Sequence, residues 1–310
     1  MELRPGSPST YRTLSIQIGD IRCALRCKDA KERHRELFRR MERLYHTFLT
    51  KETPDITIEL EGTDTVGNPT ELTAALSETK YVHQDNCFQT TSNLIAGQYD
   101  LTQQSIRIIG ETSLADPNME MNHLNRLLSL AYYSACKMKY DGNPPAMLVH
   151  ACGILRRGKV WLFVGPSEAG KTTIARLCGK HDGEVINDEM LLVSRPTLRG
   201  NGISVQSAPF LGRFPSRRRI TAPLRGILLL KKGSQTQVQS IEKTEAYLRF
   251  MRQVITPAYI GQKDRRAVYS LIADFSNEVT SVVPMYGLEF NLDSQSLWQI
   301  ITQLEEKLVG

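Results

Sequence analysis

The chain has 310 residues, of which 41% are hydrophobic and 23% are charged, with a formal net charge of +6. These values are ordinary for a globular protein of one large or two moderate domains. No apolar run reaches the length of a membrane span and no secretory h-region opens the chain, so we expect a cytoplasmic protein without membrane contact. The six cysteines include no C-x-x-C pair, which favours buried free thiols over disulfides or a metal site.

The N-terminal part of the chain, residues 1–142, is expected to form a smaller α+β unit that recognises a partner or supports the fold. Alternating and apolar segments predict strands at 13–18, 21–25, 55–60 and 105–109. Helical periodicity predicts helices at about 30–49 and 121–138. The breaker sequence Asp141-Gly-Asn-Pro-Pro145 marks the boundary with the second domain.

The second predicted domain covers residues 143–310 and is rich in short apolar segments. These segments predict strands at 146–150, 152–155, 159–164, 184–186, 190–193, 203–206, 226–230 and 282–285. An apolar stripe predicts a closing helix at about 294–308. These strands, together with the closing helix and the segment of helical spacing at 173–178, predict the α/β class.

The most informative motif lies between the predicted strand 159–164 and a segment of helical spacing that follows it. It fits the phosphate-binding pattern G-x-x-x-x-G-K-[ST]. Its glycines let the backbone approach phosphate oxygens, while successive N–H groups form an anion nest at a helix N-terminus. The lysine would contact the β- and γ-phosphates of ATP, and the first threonine would bind Mg²⁺. The expected nucleotide-binding residues are Gly165, Pro166, Ser167, Glu168, Ala169, Gly170, Lys171, Thr172 and Thr173.

Two neighbouring carboxylates follow the short apolar segment 184–186, close in sequence to the motif. Phosphoryl transfer needs a carboxylate near the metal and a group that takes the proton of the attacking hydroxyl. Asp188 and Glu189 are the candidates, with Asp188 predicted as the proton acceptor and both residues as metal ligands together with Thr172. His150, at the end of an apolar run, is a candidate for contact with the phosphates.

The stretch between Glu189 and Glu242 contains basic residues and no acidic residue. One-signed clustering raises the local potential and attracts anions, which favours a role near the nucleotide or an acidic partner. An arginine from Arg213 to Arg219 could stabilise transferred charge or bind the acceptor. Nucleic acid is not the expected partner, because few aromatic side chains interleave with this stretch.

Several segments taken in order resemble the HPr serine kinase/phosphorylase family, and more closely the small HPr kinase-like proteins. They are Val149-His-Ala-Cys-Gly153, the loop 163–173, Ile186-Asn-Asp-Glu189, 208–212, Ala222-Pro-Leu224 and 283–290. The resemblance covers about half of the chain. It implies a P-loop core similar to HPr kinase and phosphoenolpyruvate carboxykinase, ATP-dependent phosphorylation of serine, Asp188 in the catalytic acid pair and His150 near the phosphates.

The chain departs from the family pattern at three positions. Glu168 replaces a small residue, Thr172 replaces serine, and Glu189 stands where a second aspartate is usual. The longer signature that follows the acidic pair in full HPr kinase/phosphorylases is not found. A serine of a peptide or protein is therefore the expected acceptor, rather than HPr itself. Hexamers in the parent family leave a homo-oligomer open.

Two other functions stay open at this point. One is a small-molecule kinase that acts on a free amino acid. The other is a binding module controlled by nucleotide, in which Glu168 and Glu189 reflect a loss of catalytic activity. Switch GTPases are not expected because no N-K-x-D motif is present, and ABC-type ATPases are not expected because no LSGGQ-like segment is present.

Overall fold

A computed structural model describes the chain in ten ranges: 11–28, 32–62, 81–84, 87–90, 95–100, 105–110, 117–195, 202–214, 218–256 and 265–308. The described residues form two compact units, the first containing those up to Pro144 together with Arg265, and the second those from Pro145 to Thr256 and from Arg266 onward. The described ranges contain two β-sheets and six α-helices, which confirms the predicted α/β class. No helix within these ranges is both long enough and apolar enough to span a membrane.

The first unit is built on a seven-stranded sheet with the order β1-β2-β3-β7-β6-β5-β4. Its elements are β1 (Tyr11–Ile18), β2 (Ile21–Lys28), α1 (Glu32–Tyr45), β3 (Ile56–Gly62), β4 (Tyr81–Gln84), β5 (Cys87–Thr90), β6 (Ile95–Asp100), β7 (Ser105–Gly110) and α2 (Pro117–Tyr140). β1 and β2 pair around Gly19, whose φ of 62° suits a tight turn. The four strands predicted in this unit are therefore found, while β4, β5 and β6 were not predicted.

The second unit is built on an eight-stranded sheet that contains two long strands. Its elements are β8 (Ala146–Arg156), β9 (Lys159–Val164), α3 (Lys171–Cys178), β10 (Glu184–Asn187), β11 (Met190–Ser194), β12 (Ser204–Ser207), β13 (Thr221–Lys232), β14 (Gln237–Ser240), α4 (Lys243–Met251), α5 (Arg265–Val282), β15 (Met285–Phe290) and α6 (Ser294–Lys307). β9 lies between β8, to which it is antiparallel, and β13, to which it is parallel.

The predicted strand at 282–285 is wrong, because Val282 is the last residue of α5 and the strand begins only at Met285. The residues before it carry buried side chains at helical spacing, namely Val268, Ile272, Phe275 and Val279. This periodicity extends the helix through Val282, and Pro284, which has no backbone N–H, separates it from β15. Helices α4 and α5 were not predicted.

The core of the second unit joins α3 and α6 to one face of the sheet. Ile174 and Cys178 of α3 pack with Leu297 and Ile301 of α6 and with Trp161 of β9. All five side chains are at most 1% exposed. Their burial holds α3, and with it the loop that precedes α3, in a defined position on β9.

A charged network anchors α6 to the strands beneath it. Glu305, which is 1% exposed, accepts hydrogen bonds from Trp161 Nε1 at 3.2 Å and from Arg156 Nη1 at 2.9 Å. Arg156 also lies over the ring of Trp298, 4.4 Å from its centroid. A buried carboxylate is tolerated here because a guanidinium and an indole N–H satisfy its oxygens.

We predict that Glu305→Gln destabilises the second unit by about 3 kcal/mol, since the substitution leaves the buried Arg156 without its closest carboxylate. Tryptophan fluorescence during urea unfolding measures this effect selectively, because both tryptophans, Trp161 and Trp298, belong to this unit. The exposed neighbour provides the control, and Glu306→Gln should shift the unfolding free energy by less than about 0.5 kcal/mol. Equal effects of the two substitutions would contradict the anchoring role.

Candidate functional site

The site is formed around the loop 165–170, which leaves the end of β9 and enters α3. Two of its residues have left-handed backbone conformations, Glu168 with a φ of 64° and Gly170 with a φ of 104°. The side chain of Glu168 is exposed, as are those of Pro166 and Ser167. The loop thus turns sharply at the carboxyl end of a buried strand, the place where open α/β sheets bind ligands.

The two motif glycines are required by close packing as well as by backbone conformation. A Cβ at Gly170 would lie 2.5 Å from Phe290 Cζ, and a Cβ at Gly165 would lie 2.7 Å from the Cβ of Ala169. Contacts this short do not occur between real side chains. The glycines therefore let the loop pack against β15 and fold closely on itself.

Lys171 is the first residue of α3 and is 7% exposed. Its ammonium group donates to the carbonyl of Gly165 at 2.8 Å and to that of Pro166 at 2.9 Å. Burial lowers the pKa of Lys171, while the carboxylates of Glu189 and Asp188 act in the opposite direction. The ammonium group is therefore buried and held against the carbonyls of the loop.

The N-terminus of α3 has no side-chain cap, because its N-cap residue is Gly170. The first N–H groups of a helix have no intrahelical acceptor, and a side chain usually caps one of them. Thr172 and Thr173 lie in this first turn and are half-buried. The turn therefore offers backbone donors and a positive helix end to an anion.

Asp188 lies directly beside this turn, in the connection between β10 and β11. Its Oδ2 accepts the hydroxyl of Thr172 at 2.8 Å, and its Oδ1 accepts the backbone N–H of Phe214 at 3.0 Å. Asp188 is 3% exposed. Two of the predicted site residues, which are sixteen positions apart in sequence, thus touch each other through oxygen atoms of the type that Mg²⁺ prefers.

Asn187, which was not predicted as a site residue, sets the position of the acidic pair. Its side-chain oxygen accepts the backbone N–H of Glu189 at 2.7 Å and that of Met190 at 3.2 Å. Its amide nitrogen donates to the carbonyls of Ala208 and Phe210 at 3.3 and 2.9 Å. Asn187 is 5% exposed, so these bonds join two chain segments from inside the unit.

Gly212, at the end of the segment that Asn187 holds, gives the Asp188 carboxylate its space. A Cβ at this position would lie 2.1 Å from Asp188 Oδ1 and 3.2 Å from the Cβ of Glu189. The segment then supplies the N–H of Phe214 to the same Oδ1. The sequence contained a signal here, since Gly212 ends a segment that resembles the family, but a packing role is not visible without coordinates.

Glu189 and His150 form the more open side of the site. Burial, followed by the neighbouring charge of Asp188, raises the pKa of Glu189 to about 6. Burial and the charge of Lys171 lower the pKa of His150 to about 4. The 3.8 Å contact between His150 Nε2 and Glu189 Oε2 therefore joins a neutral imidazole to a carboxylate at pH 7 and is not an ion pair.

The predicted basic stretch is only partly brought to the site. Arg213 is exposed and its charge acts on Glu189, whose pKa it lowers slightly against the larger effect of burial. Arg218 instead contacts Glu184 at 2.5 Å, and Arg195 pairs with Glu278 at 3.3 Å. Arg199 and Arg217 lie outside the described residues.

Cysteines and clusters of potential metal ligands were the remaining candidates for reactive groups. The five cysteines whose side chains are described are buried and form no disulfide bond with one another, namely Cys23, Cys27, Cys136, Cys152 and Cys178. Among the described side chains, no three of His, Cys, Asp and Glu cluster in a way that could hold a metal ion by themselves. Thr172 and Asp188 could still share a cation with phosphate oxygens, which is how Mg²⁺ is held at many nucleotide sites.

No protein-family model matches the chain, and no curated protein matches it.

We predict that Gly212→Ala displaces the Asp188 carboxylate, since the added methyl group would occupy the position of Oδ1. The Phe214 amide then loses its acceptor, and its hydrogen exchange should become at least about tenfold faster, corresponding to a net hydrogen bond of about 1.5 kcal/mol. Gly158→Ala is the control, because an added Cβ in this turn between β8 and β9 meets no atom within 4 Å, and the strain from its φ of 72° leaves the Phe214 amide unaffected. Unchanged protection of Phe214 in Gly212→Ala would contradict this account.

Proposed function

We propose that the second unit is a Mg²⁺- and ATP-dependent phosphotransferase with an HPr kinase-like P-loop core. Its acceptor is a hydroxyl group, namely a serine in a peptide or protein. The observation that carries the proposal is the 2.8 Å hydrogen bond from Thr172 to Asp188. It places a hydroxyl and a carboxylate beside an uncapped helix N-terminus and a buried lysine, and phosphoryl transfer uses these groups together.

Binding of the triphosphate would use the loop amides, the first turn of α3 and Lys171. The ammonium group of Lys171 lies 2.8–2.9 Å from the two loop carbonyls, so it is already held at the loop that would receive the phosphates. A charged hydrogen bond to phosphate oxygens is stronger than a neutral one. Thr172 Oγ1 and Asp188 Oδ2 would hold Mg²⁺, which supplies charge neutralisation at the β- and γ-phosphates.

The contacts favour roles for Asp188 and Glu189 that differ from the sequence-based prediction, in which Asp188 is the proton acceptor. Both oxygens of Asp188 already accept hydrogen bonds, and the residue is 3% exposed, which suits a fixed metal ligand. The Glu189 side chain is 34% exposed, and its pKa of about 6 is close to the range of a proton acceptor at neutral pH. We therefore assign proton acceptance to Glu189, and we assign to neutral His150 a donor role beside it.

A catalytic role for Glu189 is favoured over a purely nucleotide-gated binding module. A carboxylate that only lined a binding surface would be more stable exposed to water, whereas burial and the neighbouring Asp188 raise the pKa of Glu189. Perturbed carboxylates of this kind concentrate at reactive sites.

Nucleotide binding is the first quantity to measure. Lys171→Ala is expected to weaken Mg-ATP binding by about 10- to 100-fold, the loss of one charged hydrogen-bonding group of about 1.5–3 kcal/mol. Isothermal titration calorimetry measures the dissociation constant. Lys180→Ala removes an exposed lysine just beyond α3 and should leave binding unchanged. If calorimetry of the folded wild-type protein detects no heat of Mg-ATP binding, the proposed function is refuted.

The rate of phosphoryl transfer should depend on the protonation state of Glu189. With Glu189 as the proton acceptor, kcat/KM, which reports the free protein, should fall about tenfold per pH unit below about pH 6, because protonation removes the base. Glu189→Gln should lower kcat about 10²- to 10⁴-fold and abolish this acid limb. Asp188→Asn should instead raise the Mg²⁺ concentration needed for half-maximal rate. If Asp188→Asn removed the acid limb and Glu189→Gln retained it, the roles of the two acids would be reversed.

The same pKa shift predicts an effect on stability. Because the pKa of Glu189 is raised in the folded protein, the fold binds its proton more tightly than the unfolded chain does. The resulting stability is present below the ordinary pKa of glutamate and is lost as the pH rises through about 6. Glu189→Gln is therefore expected to be more stable than the wild type above pH 6, and unfolding followed by tryptophan fluorescence at pH 4 and pH 7 tests this sign.

A further inference from the structure

A groove of about 670 Å³ opens beside the loop, between α4 and the carboxyl end of β13. Its floor includes Leu229 and Leu230 of β13, and Gly165 and Pro166 form one wall. Leu229 pairs with Val164 at the end of β9, so the two parallel strands end side by side at the groove. This volume is within the range of ligand pockets in proteins.

The groove adjoins the part of the loop that the proposed function places next to the terminal phosphate. The carbonyls of Gly165 and Pro166 accept the two hydrogen bonds of Lys171, whose ammonium group contacts the β- and γ-phosphates in loops of this type. The nucleoside lies at the other end of a triphosphate. A ligand in the groove therefore approaches the group that is transferred, which fits an acceptor and not the base or ribose.

Gln253 links the groove to the proton-accepting side of the site. It lines the groove, and its carbonyl accepts the backbone N–H of His150 at 2.8 Å. His150 Nε2 in turn lies 3.8 Å from Glu189 Oε2. One end of the groove is thus connected, through the backbone of Gln253, to His150, the residue beside Glu189.

Charge is distributed unevenly along α4. Glu242 and Glu245 line the groove near the start of the helix, and Arg249 and Arg252 line it near the end. Arg249 is engaged, since it donates to the carbonyl of Leu230 at 3.1 Å and to Glu245 at 3.3 Å. Arg252 is exposed, and among the described residues its guanidinium forms no salt bridge. The third basic residue that lines the groove, Lys231, pairs with Glu289 at 3.7 Å. Arg252 is therefore the cation left for a ligand, at the end of the groove next to Gln253.

The length of the groove indicates the size of the ligand. The eleven residues from Glu242 to Arg252, the two caps of α4, are separated by ten helical rises, which span about 15 Å. An extended chain covers about 3.4 Å per residue, so four or five residues match this length. A free amino acid would fill only one end. The partly exposed Leu248, midway along the helix, offers an apolar contact to a side chain.

We infer that this groove is the acceptor site and that it holds an extended peptide with a carboxylate beside the phosphorylated serine. The carboxylate pairs with Arg252, and the serine hydroxyl lies over Gly165 and Pro166. This inference rests on the proposed function. In the reaction, the serine oxygen forms a bond to the γ-phosphorus while the bond from that phosphorus to the β–γ bridging oxygen breaks. ADP leaves with the electron pair, and Glu189 takes the serine proton.

The test compares three six-residue peptides that differ only after a central serine, with aspartate, asparagine or lysine at the next position. Fluorescence anisotropy of labelled peptides measures binding without nucleotide, and radiolabelled ATP measures transfer. Arg252→Ala should raise the KM of the aspartate peptide at least about tenfold, which corresponds to one charged hydrogen bond. The KM of the asparagine peptide and that of ATP should stay within about twofold. Arg252→Glu should prefer the lysine peptide.

Two further variants separate the groove from the nucleotide site. Thr244→Trp places a large side chain in the groove and should abolish peptide binding while retaining Mg-ATP binding. Arg266→Ala removes an exposed arginine of α5 and should change neither measurement. The inference is overturned if Arg252→Ala weakens the aspartate and asparagine peptides equally, if it weakens ATP as much as peptide, or if the wild type binds none of the peptides. If the wild type binds peptide at the groove but shows no heat of Mg-ATP binding, the proposed function is refuted and the groove remains a peptide-binding site.

Discussion

The arrangement of the second unit depends on one buried carboxylate, that of Asp188. It joins three segments that are distant in sequence: the first turn of α3 through Thr172, the connection after β10, and the segment ending at Phe214. A buried carboxylate without partners would be strongly unfavourable, so these contacts must form together. Asn187 and Gly212 contribute the backbone support and the empty space that the carboxylate needs.

The charges around this carboxylate divide the site into a fixed side and a responsive side. Asp188 and Lys171 are nearly inaccessible to solvent and are held by short hydrogen bonds, so their positions are set before any ligand binds. Glu189 and His150 are more exposed, and their pKa values are moved by burial in opposite directions, to about 6 and about 4. Preorganised binding groups next to a group that can change its protonation state are what acid–base chemistry requires. The raised pKa of Glu189 also means that the fold gives up stability at neutral pH to keep this carboxylate where it is.

The sequence predicted the parts of the structure that are encoded by local pattern. The composition of the loop, of the strand before it and of the helix after it is compatible with few other secondary structures. The strand Lys159–Val164 was predicted with its observed first and last residues. The adjacency of Thr172 and Asp188 could be anticipated only as two candidates for one metal, since their contact depends on the pairing of β10 with β8. The role of Asn187 depends on the carbonyls of Ala208 and Phe210, which no local pattern reveals. Helix α4 was missed because its apolar face is narrow, with Ala246 and Phe250 as its buried residues.

The long strands explain why a loop, a carboxylate pair and a groove come together in so short a stretch of chain. β8 pairs with β10 and β11 and also with β9, and the backbone N–H of His150 near its middle binds Gln253, just beyond α4. β13 ends beside β9, which brings Leu230 next to the loop and, through the hydrogen bond from Arg249, fixes the end of α4. The two sides of the loop are therefore set by different strands, β8 on the side of the acids and β13 on the side of the groove. A change in the α4 segment can therefore alter the groove without moving Asp188, because different strands position the two.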